Sequence, residues 1–129
     1  GIHTIPEQNV ENLQKRLEDF IMTYKEEDPN LKINLTIPIA FEPQVMDINS
    51  DFAKTVQHSF EAVYGEPRDF RLFISTTDAH FFQEKGINTM LAGAGTSETN
   101  IHAADEFIEI EDLINTTKIF ALTTLNYLK

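Results

Sequence analysis

The sequence predicts an α/β fold, and three observations carry that reading. Short apolar segments alternate with helical ones through the second half of the chain, as they do where strands pair in parallel beneath helices. The first forty residues read strand–helix–strand, with one face of the sheet wet. Hydrophobic residues make up 41% and charged residues 24% of the 129 positions, a globular balance. A chain of this length can bury roughly two-thirds of its unfolded surface, so a core is expected.

Residues 1–8 read as the end of an extended segment running into a turn, because Pro6 pushes Ile5 away from helical angles. Asn9 then suits a helix N-cap. Val10, Leu13, Leu17, Phe20, Ile21 and Tyr24 share one face at helical spacing, and the polar stretch 25–30 with Pro29 ends the helix. Residues 31–39 alternate: Leu31, Ile33, Leu35, Ile37 and Ile39 point one way, Lys32, Asn34 and Thr36 the other. This is the pattern of a half-buried strand, and Pro38 suits its edge or exit. Phe41 to Ile48 forms a connector, where the chain divides.

Asn49 or Ser50 caps a second helix that runs to Tyr64 and stops at Gly65, with Phe52, Val56, Phe60 and Val63 inward. Phe70 to Ile74 is a short apolar strand. Thr77 and Asp78 open a short helix that closes at Gly86, and Ile87 to Leu91 is the next strand. Residues 92–100, AGAGTSETN, are a small polar loop. Ile110 to Leu128 is a long helix with Ile110, Leu113, Ile114, Thr117, Ala121, Thr124, Leu125 and Leu128 on one face. Phe73, Phe81 and Phe120 are expected to pack helices onto the sheet.

Composition excludes several functions. The formal net charge is −11, so a phosphate backbone or an anionic membrane surface is repelled, and neither nucleic acid nor membrane is an expected partner. With no cysteine, disulfides, thiolate metal sites and cysteine nucleophiles are excluded. No apolar run approaches the roughly 20 residues of a membrane helix, and no secretory signal is visible. These features fit a cytoplasmic protein.

Chemistry concentrates in 73–107. Ser75, Thr76, Thr77 and Asp78 sit where a strand is expected to give way to a helix, the usual place for ligands in α/β sheets; free N–H groups there could hold a carboxylate, or Thr77 or Asp78 could simply be a cap. Further on, the loop with Gly93 and Gly95 leads to His102, followed by Asp105 and Glu106. A neutral imidazole behind a strand end suits a Zn²⁺ ion, and a neighbouring carboxylate could orient its second nitrogen. One histidine is not a site, since zinc takes three or four protein ligands. His58 reads as structural. Glu109, Glu111 and Asp112 are explained by the positive end of the last helix.

Taken in order, STTDAHFF, GINTMLAGAG and IHAADEFIEIEDL resemble the C-terminal end of M20-type metallo-enzymes, such as succinyl-diaminopimelate desuccinylase, acetylornithine deacetylase and related dipeptidases. HTIPEQNVENLQKRLEDF resembles the segment and helix of the same family's lid, so the resemblance covers nearly the whole chain. It implies that residues 1–44 are the C-terminal half of a ferredoxin-like α+β lid or dimerisation sub-domain. Residues 45–129 would be the C-terminal strands and helices of an α/β zinc-hydrolase catalytic domain. It also implies that His102 binds one of two catalytic metals, Zn²⁺ or else Co²⁺ or Mn²⁺. Thr76, His80, Gly95 and His3 fall at substrate-contact positions.

Several positions depart from the family pattern. His3 and His80 stand where members carry Arg, Ile74-Ser75 replaces a Gly pair, Ala94 a Pro, and Glu98 an Asn; the substrate is therefore left open between an N-acyl amino acid and a small peptide. The remaining metal ligands and the general base have no counterpart in this sequence. The chain is thus read as a piece of a homodimeric amidohydrolase, inactive alone and self-associating through exposed strand edges. The rival reading is a non-catalytic α+β dimerisation or small-ligand-binding module, and a weaker third is a small-molecule sensor. The enzyme needs His102 open at a strand end beside Thr76, whereas the module would pack it away.

Overall fold

Asn9 accepts the Asn12 amide through its side chain at 2.7 Å and starts α1, Val10–Glu27. In the same way the Ser50 hydroxyl accepts the Ala53 amide at 3.2 Å and starts α2, Asp51–Tyr64. Each cap satisfies an N–H that the helix cannot pair internally. Gly65, at φ 79°, ends α2 in the left-handed region open to glycine. A short α3, Ala79–Gln83, and a long α4, Ile110–Tyr127, complete the helices. This is a computed structural model, and it describes residues 1–73, 75, 77–95 and 101–129.

Helices α1, α2 and α4 fall where they are expected, and α3 lies within the expected 77–86 but ends at Gln83 rather than at Gly86; the strands do not appear. Among the described residues there is no strand and no sheet, so the architecture is helical and the α/β expectation is corrected. Residues 31–39, the described part of 70–74 and residues 87–91 all lack a ladder. The physical reason is pairing. Alternation shows which side chains seek cover, but a strand exists only when a neighbour takes its N–H and C=O groups. Outside the helices, the backbone hydrogen bonds among the described residues are local turns and caps. Phe73, Phe81 and Phe120, expected beneath helices on a sheet, are instead 62%, 52% and 51% exposed.

The chain forms two compact units, Gly1–Val45 with Ile74–Gly86, and Met46–Phe73 with Ile87–Lys129. In the first, α1 has no fully buried residue; Val10, Leu13, Leu17 and Ile21 are half-buried along one stripe. The Val10 amide donates to both carboxylate oxygens of Glu42 at 3.2 Å, so a side chain 32 residues away adds to the cap of α1. The Phe41 ring is tilted 39° against that of His80, centroids 3.8 Å apart, and meets Phe81 edge-on at 5.7 Å.

In the second unit α2 packs on α4. Ala53, Val56 and Ser59 from α2 and Ile119 from α4 are buried. Ala53 and Ser59 are small, which lets the helices come close, and the Ser59 hydroxyl donates to the Thr55 carbonyl at 2.8 Å. The covered face of α4 runs through Ile119 with Leu122 and Thr123 half-buried. It is not the expected face, because Ile110, Leu113, Leu125 and Leu128 are 75%, 52%, 62% and 77% exposed. Phe52 and Tyr127 add an edge-on ring contact at 5.2 Å.

Candidate functional site

His102 sits on a turn after residues 96–100, which lie outside the described residues. Its backbone is left-handed at φ 62°, and Asp105 repeats this at φ 60°. Histidine and aspartate tolerate the region better than most side chains, but a pair so close is unusual. The His102 amide donates to Glu106 Oε2 at 3.3 Å across the turn. The residue is exposed, and among the described residues its imidazole has no hydrogen-bond partner. The carboxylate expected to orient the imidazole's second nitrogen therefore reaches the backbone instead.

Beside this turn, Ala94, Gly95, Ile101, Glu106, Phe107 and Ile108 line an open cleft of about 410 Å³. Gly95 holds φ 95°, a conformation that a residue with a Cβ rarely adopts. The glycine expected to contact substrate and the turn carrying His102 thus belong to one unit and share one cleft. A second cleft, of about 400 Å³ along α2 and α4, is lined by Ala62, Val63, Lys118, Ala121 and Leu122. Size does not separate the two. Only the first is walled by residues of the GAG and HAADEF motifs.

The other candidates lie in the first unit. His3 is exposed. His80 Nδ1 lies 2.7 Å from the Thr77 carbonyl, and since a carbonyl only accepts, Nδ1 carries the proton and donates. The other ring nitrogen, Nε2, is buried without a partner among the described residues. The ring lies 3.8 Å from the Phe41 centroid and 3.9 Å from that of Phe81. Thr77 Oγ1 accepts the Ala79 amide at 3.3 Å, whereas Asp78 caps nothing, so Thr77 does the capping at this corner. Thr76 and Glu98 lie outside the described residues.

A free, exposed imidazole is a suitable metal donor. Yet among the described residues no three His, Asp or Glu side chains converge in a metal-holding group. A zinc site takes three or four protein donors, so the described residues do not hold a metal by themselves. No helix among them is long and apolar enough to cross a membrane.

The signal that sequence reasoning underused is the i to i+4 spacing of His102 and Glu106. It is also the reach of a side-chain clasp over a turn. Compared with known families, residues 1–126 match the model for peptidase family M20/M25/M40. Comparison with curated proteins and with solved structures returns no match.

Proposed function

Because this chain belongs to peptidase family M20/M25/M40, we propose that it is part of a cytoplasmic two-metal amidohydrolase that cleaves N-acyl amino acids, desuccinylase- or deacetylase-like, or small peptides. The family is one of hydrolases; the acyl group, the metal and the subunit arrangement are our reading. One observation carries it: the match spans residues 1–126 and so includes HAADEF, whose His102 is exposed with its imidazole unpartnered among the described residues.

In this reading His102 is the one metal ligand that the chain contributes, with Zn²⁺ preferred and Co²⁺ or Mn²⁺ as substitutes. The described residues do not complete the donor set, so no catalytic step is assigned to them. Substrate contacts fall to Thr76, to the Gly95 backbone and to His3. His80 joins them only if its ring leaves Phe41 and Phe81, since its Nε2 is buried. Residues 1–44 are assigned to the lid and 45–129 to the catalytic part of the enzyme.

Assays of N-succinyl and N-acetyl amino acids and of dipeptides, with each metal supplied, test this reading. The pure 129-residue chain should release no product. In the intact enzyme, His102→Ala should lower kcat/KM by roughly 10³-fold, the loss of several kcal/mol of metal-borne charge stabilisation. Turnover by the pure chain, or an undiminished His102→Ala enzyme, would overturn the proposal.

A further inference from the structure

We propose that the open face of α4 is the interface with a second copy of this chain, paired antiparallel about a two-fold axis at the middle of the helix. No metal or substrate enters this surface. Helix α2 covers the side of α4 that carries Ile119, with Leu122 and Thr123 half-buried beside it. At about 100° per residue, the stripe that begins at Ile110 and ends at Leu128 lies on the opposite side. Its large members, Ile110, Leu113, Ile114, Leu125 and Leu128, are 49–77% exposed. None of its positions is charged. A contiguous apolar face left open on a helix whose other face is packed marks an interaction surface.

The stripe matches itself. From Ile110 to Leu128 the steps between its members are 3, 1, 3, 4, 3, 1 and 3 residues, the same read from either end. A two-fold contact requires such a self-complementary patch, because residue i meets j while j meets i. With the axis at the level of Ile119, Ile110 faces the partner's Leu128 and Thr117 faces the partner's Ala121. Leu113 and Ile114 lie against the partner's Thr124 and the partner's Leu125. Small side chains at the middle let the two backbones approach. The Thr117 and Thr124 hydroxyls already donate to the Leu113 and Phe120 carbonyls at 2.8 Å, so covering them strands no donor.

Charge selects the antiparallel sense. Helix α4 carries Glu111 and Asp112 in its first turn, and Lys129 follows its last. Antiparallel pairing sets the partner's Lys129 within a turn of Glu111 on the same flank and opposes the helix dipoles, whereas a parallel pair would bring acid to acid. Lys118, near the middle, donates to Asn115 Oδ1 at 3.2 Å, on the side away from the stripe. The stripe is about 27 Å long and about 10 Å wide, roughly 300 Å² on each copy. A standard interface takes about 800 Å² a side, so this pair is weak and forms at chain concentrations of roughly 0.1–1 mM.

The test uses the 129-residue chain, in which any introduced cysteine is the only one. Sedimentation equilibrium up to about 1 mM should show a monomer–dimer equilibrium. Leu125→Glu puts a charge into the stripe and should raise the dissociation constant at least about tenfold. Met22→Glu, at an equally open side chain of α1 that is 55% exposed, should leave it within about twofold.

Mild oxidation then reads the geometry. A mixture of Leu113→Cys and Thr124→Cys chains should form the mixed disulfide. Either variant alone should not, since like positions stand about 15–18 Å apart in the antiparallel pair and a disulfide spans about 7 Å. This arm needs no buried charge, and it decides the matter if Leu125→Glu loses helicity. A strict monomer, a dimer indifferent to Leu125→Glu, or disulfides between like positions would each overturn the inference. So would slow labelling of the single cysteines in a monomer, which would mean that another part of the same chain covers the stripe.

Discussion

At Asn9, Ser50, Gly65 and Gly86, local chemistry fixes local structure. Each sits where its side chain, or its lack of one, solves a problem of the adjoining three or four residues. That is why these sites are legible in sequence. Ser50→Ala should cost α2 about 1 kcal/mol by exposing the Ala53 amide without its acceptor. Gly65→Ala should cost about as much through φ alone, since a Cβ there would meet open space while the backbone stands at +79°. Both effects are read as a shift in urea midpoint at constant slope; no shift for Gly65→Ala would mean that the left-handed C-cap is not held in solution.

Glu42 and Glu106 show the limit of residue-level reading. Glu42 reaches Val10 across 32 positions, which no local pattern announces. Glu106 is only four residues from His102, but the chemistry expected of a carboxylate there drew attention to the ring instead of the amide.

Among the elements, helices were legible and their packed faces only in part. Helix α4 is apolar on more than one side, so periodicity alone could not tell which side meets α2. The stripe from Ile110 to Leu128 looked the more hydrophobic, yet Ile119, on the other side of the helix, is the residue that is buried. Ile119→Ala should therefore cost about 3 kcal/mol, as for a buried aliphatic truncated to a cavity. Leu125→Ala, at a side chain 62% exposed, should cost under about 1 kcal/mol. Equal losses in chemical denaturation would mean that the helix is turned the other way. The strands failed for a different reason. Ile33, Leu35 and Ile37 alternate in sequence with polar residues, yet each is 37–38% exposed; alternation specifies a face and says nothing of a partner for the backbone.

For the whole molecule, the few side chains that are fully buried set the expectations. Among the described residues only Ala53, Val56 and Ile119 are buried hydrophobics, little to set against the ordering entropy of the chain. Large apolar groups stay open, with Ile39, Ile110 and Leu128 between 72% and 77% exposed. Self-association, first expected through strand edges, now rests on these side chains. Light scattering across a concentration series should show the mass rising from 14.7 kDa towards the dimer; a constant monomer mass would contradict it.

The family was legible because short motifs survive in sequence whatever the fold around them. Substrate and metal were not, because the chemistry they need calls for several donors, and the described residues bring no such group together. The central claim is that His102 is a ligand of the metal centre. Its most direct test is the metal content of the intact enzyme carrying His102→Ala after exhaustive dialysis. The account predicts that one of the two metals is lost while the protein stays folded; retention of both, at wild-type affinity, would contradict it.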